Sequence, residues 1–278
     1  GRARVFISMD PSVVDSRPSL MALPPSATFR AMTDIAGRRV VLSGGASGIG
    51  RATAELLAER GARVVVIDVD AATGAGLAST ASAAGRDLSF VHADVAVADE
   101  ATAAVTEALG ILGGVDALVS AAGIMRGQLA DIGDLDEATF DRVVDVNLKG
   151  AFLMAQRVAP VMVEQGAGVI VMVGSKAGVT VGSGSIAYGA SKGGVHGLAL
   201  TLERLLGPAG IRVNDLCPGD VETPLYRRSI AEGVERGGDP VAAEQALARL
   251  TPDRDVAEVL AYLVSDAASA VRGSDFTS

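Results

Sequence analysis

The sequence predicts a single doubly wound α/β domain, on three observations. From Arg38 onward, short apolar runs alternate with Ala-rich stretches at helical spacing. The runs are apolar on both alternating faces, as suits parallel strands covered by helices on each side rather than a half-solvated antiparallel sheet. Strand then helix repeats in this order from Arg39 to Cys217, with no internal sequence repeat.

The strand runs are RVVLS (39–43), RVVVID (63–68), LSFVHAD (88–94), DALVSA (116–121), GVIVMVG (168–174) and IRVNDLC (211–217). Gly61 closes a helix that starts near Gly48, Gly85 closes the next, and Gly207-Pro208 stops one running from about Ala187. The span from Glu137 to about Glu164 reads as one long helix, roughly 40 Å at 1.5 Å per residue. Residues 220–252 form the longest connection, helical around 222–235 and 240–250, and are expected to cover the site as a lid. Pro11, Pro18, Pro24 and Pro25 interrupt the first segment, which lacks periodicity; residues 1–32 therefore read as a poorly ordered N-terminal extension before a domain at 33–278.

Composition removes several function classes. With 24 basic and 33 acidic residues the formal charge is -9, so nucleic acid is not the expected partner. Cys217 is the one cysteine and His92 and His196 are the only histidines, which leaves no disulfide framework and no Cys/His zinc cluster; no metal is expected. No apolar stretch reaches the roughly 18 to 20 residues that cross a bilayer, so the expected address is the cytoplasm, without membrane contact.

After the first strand, Ser43-Gly44-Gly45-Ala46-Ser47-Gly48-Ile49-Gly50 feeds directly into a helix. Glycines let the backbone approach a pyrophosphate closely, and the helix start offers free N–H groups and positive dipole to it. Asp68 ends the second strand 18 residues after Gly50, where a carboxylate can accept hydrogen bonds from an adenosine ribose. It would repel a 2'-phosphate, and no Arg or Lys follows it, which favours NAD over NADP. The alternative is a structural turn with Asp68 as a solvated strand end. Gly45 and Gly50 also have the spacing of a Walker loop, but Arg51-Ala52 stand where that chemistry needs Lys and Ser or Thr.

Tyr188 and Lys192 lie four apart in a predicted helix and therefore on one face. A neighbouring ammonium favours phenolate and lowers a tyrosine pKa from its ordinary value of about 10. Ser175, at the end of the preceding strand, can donate to a substrate oxygen as charge develops there.

With the glycine turn, Asp68, Ser175 and Tyr188-x-x-x-Lys192 in this order, the chain resembles the short-chain dehydrogenase/reductase family over about residues 36–276, and so implies a Rossmann fold. Asp94-Val95 is similar to the family's adenine-contacting pair, Asn147 in DVNLKG to its catalytic helix asparagine, and Pro218-Gly219 with Thr223 to its nicotinamide-side segment. The thirteen residues from Ser175 to Tyr188 agree with the family spacing. The resemblance implies a cofactor site of Gly44, Ser47, Gly48, Ile49, Gly50, Asp68, Asp94, Val95, Ala122, Gly123, Tyr188, Lys192, Pro218, Gly219, Val221 and Thr223. It also implies hydride transfer between a secondary alcohol, or its ketone, and nicotinamide, with Tyr188 as general acid/base and Ser175 holding the reacting oxygen. Lys192 would depress the Tyr188 pKa and bind ribose hydroxyls, and Asn147 would position a proton-relaying water. The long helix and the Tyr188 helix resemble the pair that makes the family's subunit interface, implying a homotetramer or homodimer. Two departures stand out: Ser120-Ala121-Ala122-Gly123 replaces Asn-Asn-Ala-Gly, which bears on sheet bracing, and the chain stops before the family's final Asp-Gly-Gly.

Other readings remain open at this level. Gly189-Ala190-Ser191-Lys192-Gly193 satisfies the GxSxG nucleophile elbow, but no histidine follows His196 to complete a triad. A non-catalytic dinucleotide sensor and an NADPH-dependent reductase of the 3-oxoacyl-carrier-protein kind share the fold. Asp94 can equally serve as a turn or cap residue, Cys217 reads as a small buried side chain, and His196 as a packed or interfacial histidine. Arg126, Lys176, Arg227 and Arg228, in or near the site loops, could meet an anionic or polyhydroxylated substrate or be solvated cations.

Overall fold

Side chains two apart on a strand share a face, and these strands bury both. Val40, Leu42, Val64, Val66, Val169 and Val171 join one apolar layer, while Val41, Val65, Ile67, Leu118, Ile170 and Met172 join the other. A strand with two apolar faces needs helices on both sides, and the chain supplies them between successive parallel strands. The structure, a computed structural model, describes residues 34–180 and 182–276. The extension expected at 1–32 lies outside the described residues.

Seven strands form one parallel sheet: β1 (Arg39–Ser43), β2 (Arg63–Asp68), β3 (Leu88–His92), β4 (Ala117–Ser120), β5 (Gly168–Val173), β6 (Ile211–Cys217) and β7 (Gly273–Phe276). The order is β3-β2-β1-β4-β5-β6-β7. The helices are α1 (Gly48–Glu59), α2 (Ala71–Ala83), α3 (Ala98–Leu112), α4 (Glu137–Val144), α5 (Gly150–Gln165), α6 (Ile186–Leu206), α7 (Pro224–Glu235), α8 (Pro240–Leu247) and α9 (Asp253–Val264). Helices α1 and α9 cover one face; α3, α5 and α6 cover the other. The strand order reverses between β1 and β4, which opens a crevice at the carboxyl ends of the strands, where ligands of such sheets bind.

Most boundaries follow the sequence. β1, β2 and β6 have the expected ends, whereas β3, β4 and β5 stop at His92, Ser120 and Val173. Asp94, Ala121 and Gly174 are thereby released into loops at the crevice. The long helix expected from Glu137 runs without a break to Gln165, with a π turn at Asp145–Lys149 between α4 and α5 that carries Asn147, 1% exposed, in the interior. Ser120, the departure expected to weaken sheet bracing, pairs in register with Ser43 on β1 and Met172 on β5, so the backbone ladder runs unbroken. The final strand forms over four residues beside β6.

The α1 entry depends on two close approaches. Gly44, at φ +77°, lies so near β4 that a Cβ would fall 2.4 Å from the Ala122 backbone nitrogen, and a Cβ on Gly50 would fall 2.0 Å from the Gly44 carbonyl oxygen. Substituting Gly50→Ala forces the helix off the turn. The expected cost is about 1 to 3 kcal/mol, or a melting temperature lower by roughly 3 to 10 °C by circular dichroism.

Candidate active site

A cavity of about 890 Å³ occupies the crevice, within the range of small-molecule sites. Gly44, Ser47, Gly48, Ile49 and Gly50 line it at one end, with Asp68, Asp94 and Val95 beside them. Ala122, Gly123, Pro218, Gly219, Val221 and Thr223 continue the wall to Ser175, Tyr188 and Lys192. Asn147 is absent from the wall and lies behind it.

The glycine turn presents an open helix start. Ser47 is extended and its side chain caps nothing, whereas α2, α4, α6, α7 and α8 are each capped by an Asp, Ser or Thr. The first-turn N–H groups of α1 have no side-chain cap, as at α3 and α9, and here they lie at the cavity wall, where a helix start favours an anion. Gly48 is left-handed at φ +51°, and a Cβ there would meet the Thr223 side chain at 3.0 Å, so the root of α7 abuts the turn. Arg51 pairs with Glu55 on the exposed helix face, contrary to a Walker lysine.

Asp68 is more than a solvated strand end. Its Oδ2 accepts from the Ala46 N–H at 2.9 Å and its Oδ1 from the Asp70 N–H at 3.0 Å, which ties β2 to the glycine turn while the carboxylate lines the cavity. Asp94 lines the cavity, and as a turn residue its Oδ1 accepts from the Ala96 N–H at 3.0 Å while its Oδ2 pairs with Arg142 at 2.8 Å.

Three loops fix the reacting end. Ser185 caps α6 by accepting from the Tyr188 N–H and donates to the Arg126 carbonyl at 2.6 Å. Leu129 donates to the Gly184 carbonyl at 2.7 Å, and Glu232 of α7 accepts from the Gly127 and Gln128 N–H groups. The ends of the 220–252 connection are zipped, with Glu222 N–H donating to Thr251 O at 2.8 Å and Thr251 N–H to Asp220 O at 2.9 Å.

The Tyr188 phenol is buried, and desolvation pushes its pKa above the ordinary value, against the hydrogen bond from Ser175. Lys192 Nζ donates to the Val173 carbonyl at 2.7 Å and lies 5.8 Å from the Tyr188 ring centroid. Burial lowers Lys192 to about 8, with Asp215 and Cys217 acting in the opposite sense. In the protein alone, desolvation is the largest influence on the Tyr188 phenol and the Ser175 hydrogen bond opposes it.

The Asn147 side chain joins two elements. Its Oδ1 accepts from the Ile124 N–H at 2.8 Å, and its Nδ2 donates to the Ile124 carbonyl at 3.0 Å and to Ser191 Oγ at 2.9 Å. Both amide hydrogens are committed, so the side chain clamps the loop after β4 onto α6 and has no donor to spare for a water. Ser191 donates to the Tyr188 carbonyl inside α6, which rules out a nucleophile elbow at this residue.

Of the four loop cations, Arg126, Lys176 and Arg228 line the cavity and form no ion pair among the described residues; Arg227 instead pairs with Glu222. Sequence reasoning missed Arg142, Gln128 and Glu232, which no motif marks. It also missed Asp215, although a carboxylate inside the apolar run IRVNDLC was a legible signal. Among the described residues no helix is long and apolar enough to cross a membrane.

Known proteins match this arrangement. The family model described as short chain dehydrogenase matches residues 38–232. The chain is 39% identical over 240 residues to a cis-4-hydroxycyclohexanecarboxylate dehydrogenase of Sinomonas cyclohexanicum, covering 86% of this chain and 94% of that protein. It is 38% identical over 246 residues to a mitochondrial (-)-isopiperitenol/(-)-carveol dehydrogenase of Mentha piperita, covering 87% and 91%. Among solved structures, levodione reductase superposes with a TM-score of 0.79 at 33% identity, covering 86% of this chain and 95% of that one.

Removing the Asn147 clamp strands the Ile124 N–H and carbonyl. Asn147→Ala is expected to cost about 2 to 4 kcal/mol in urea unfolding, because each buried unpaired group costs about 1 to 3.

Proposed function

Since the chain belongs to the short-chain dehydrogenase family and is an oxidoreductase acting on CH–OH groups, we propose that it oxidises a ring secondary alcohol with NAD, using Tyr188 as general base. The observation that carries this reading is the single cavity that joins the uncapped glycine turn to Ser175, Tyr188 and Lys192. A bound NAD supplies the hydride acceptor and a positive ring charge that favours phenolate. Gly44 to Gly50, Asp68, Asp94, Val95, Ala122, Gly123, Pro218, Gly219, Val221 and Thr223 would hold it, with Lys192 near its ribose; the close packing at Gly44 and the open start of α1 support the fit.

In this scheme Tyr188 takes the substrate hydroxyl proton while Ser175 donates to the same oxygen, orienting the carbinol. Lys192 contributes its charge from behind the ring. The 220–252 segment, joined at its ends, lines the cavity beside the reacting atoms.

Asp68 supports NAD over NADP, because a carboxylate tied to the turn would oppose a 2'-phosphate and no Arg or Lys follows it in the sequence. Arg126, Lys176 and Arg228 support a substrate bearing a carboxylate, in line with the hydroxycyclohexanecarboxylate named for the relative in Sinomonas cyclohexanicum. The proposed working form is a cytoplasmic homodimer or homotetramer. Exposed Phe152 and Val163 on α5 and Leu200 and Leu205 on α6 support an interface through those helices.

Fluorescence titration is expected to give tighter binding of NADH than of NADPH, and Asp68→Ala to weaken NADH by roughly tenfold or more while narrowing that preference. Equal affinity of the wild type for both would overturn the NAD assignment. With 4-hydroxycyclohexanecarboxylate and NAD, Tyr188→Phe is expected to lower kcat by about 100-fold or more without changing NADH affinity. NADH binding with no turnover of any ring alcohol would instead favour the sensor reading.

A further inference from the structure

Strand β6 carries a carboxylate where its neighbours carry aliphatic side chains. Ile211, Val213, Asp215 and Cys217 alternate onto the face covered by α6, and Asp215 is 0% exposed. A buried carboxylate is expensive unless partnered. His196 Nδ1 lies 2.9 Å from Asp215 Oδ2, and the Cys217 thiol donates to the same oxygen at 3.1 Å. Oδ1 has no hydrogen-bond partner.

Oδ1 lies against the chain next to the Lys192 anchor. A Cβ on Gly174 would fall 2.4 Å from Oδ1, so residue 174 must be glycine for the carboxylate to sit there. The preceding carbonyl, that of Val173, is the acceptor of Lys192 Nζ at 2.7 Å. Lys192 and His196 are four apart on α6 and so share one face, and His196 clasps Asp215 on β6. His196 thus meets the carboxylate on β6, and Lys192 meets the end of the adjacent strand β5.

From this geometry we infer that Asp215, held by His196 and Cys217, is the buried countercharge of Lys192 and a positioning residue for the reaction. It acts through Lys192 and touches no substrate. The inference takes the Lys192 role from the proposed oxidoreductase mechanism, but its test does not. The groups facing Lys192 are Asp215 and Cys217 from β6, Tyr188 on its own helix, Ser175 after β5 and Asn147 from the π turn. Burial lowers Lys192 to about 8, and Asp215 first, then Cys217, oppose that loss of the ammonium proton. The same three side chains, His196, Asp215 and Cys217, have donor atoms within 4.8 Å of one another. They already bond to each other, and burial with the nearby carboxylate pushes the Cys217 thiol up to about 12, so they form a clasp rather than a prepared metal site.

The chain has three lysines, Lys149, Lys176 and Lys192, so lysine labelled with carbon-13 at Cε gives three resonances that can be titrated in the protein without cofactor or substrate. The Lys192 signal is assigned by its loss in Lys192→Arg. Asp215→Asn, which keeps the shape, is expected to lower the Lys192 midpoint by about one unit or more. His196→Ala should lower it by less, and His196→Asn, whose Nδ2 stands where Nδ1 did, should restore it. If the proposed oxidation is also correct, the alkaline limb of kcat in Asp215→Asn moves to lower pH with KM for the alcohol unchanged. A Lys192 midpoint within about 0.3 unit of the wild type in folded Asp215→Asn overturns the inference. Should Asp215→Asn fail to fold, the same unchanged midpoint in His196→Ala overturns it.

Discussion

Everything at the carboxyl edge of this sheet depends on how closely the first turn can lie against β4. The backbone of Gly44 touches that of Ala122, and the Gly44 carbonyl in turn occupies the place of a Cβ on Gly50. Two absent methyl groups therefore bring the start of α1 onto the line where the strand order reverses. The crevice, the uncapped N–H groups and the reach of Asp68 to the Ala46 N–H follow from that contact. A parallel sheet alone would give strands and helices without a place for a dinucleotide.

The proton-handling end obeys a different constraint, that of charge in a dry environment. Burial favours the neutral form of both Tyr188 and Lys192, raising one and lowering the other. A phenolate–ammonium pair can exist there only if fixed groups compensate for lost water. The Val173 carbonyl, the Ser175 hydroxyl and the Asp215 carboxylate are such groups, each carried by a different part of the β5 and β6 ends. Asn147 contributes mechanically, by holding the loop after β4 to α6 through Ile124 and Ser191.

Over the mouth, rigidity comes from backbone bonds between loops. The Asp220 and Thr251 ends close on each other, and Glu232 ties α7 to the Gly127–Gln128 peptide. Helix α7 also roots on Thr223, which abuts Gly48, so the covering segment is packed against the glycine turn. Unpaired Arg126, Lys176 and Arg228 give that mouth a positive lining in a chain whose net charge is -9.

Sequence by itself determined the sheet, the turn and the order of the chemistry-bearing residues. Strands that are apolar on both faces, a glycine turn before a helix and Tyr188 four residues before Lys192 are local patterns, fixed by backbone geometry and periodicity within a few residues. Gly44, Ser47 to Gly50, Ser175, Tyr188 and Lys192 line the cavity, while the π turn at Asn147 and the loop latches were not legible, because their causes lie dozens of residues away. Only the tertiary structure decided what each side chain bonds. Asn147 turned out committed to Ile124 and Ser191, Lys192 to Val173, and Arg227 to Glu222, leaving Arg228 for the cavity. Burial and hydrogen-bond partners are properties of packed surfaces brought together by folding, and burial is the largest influence on the proton affinity of both Tyr188 and Lys192.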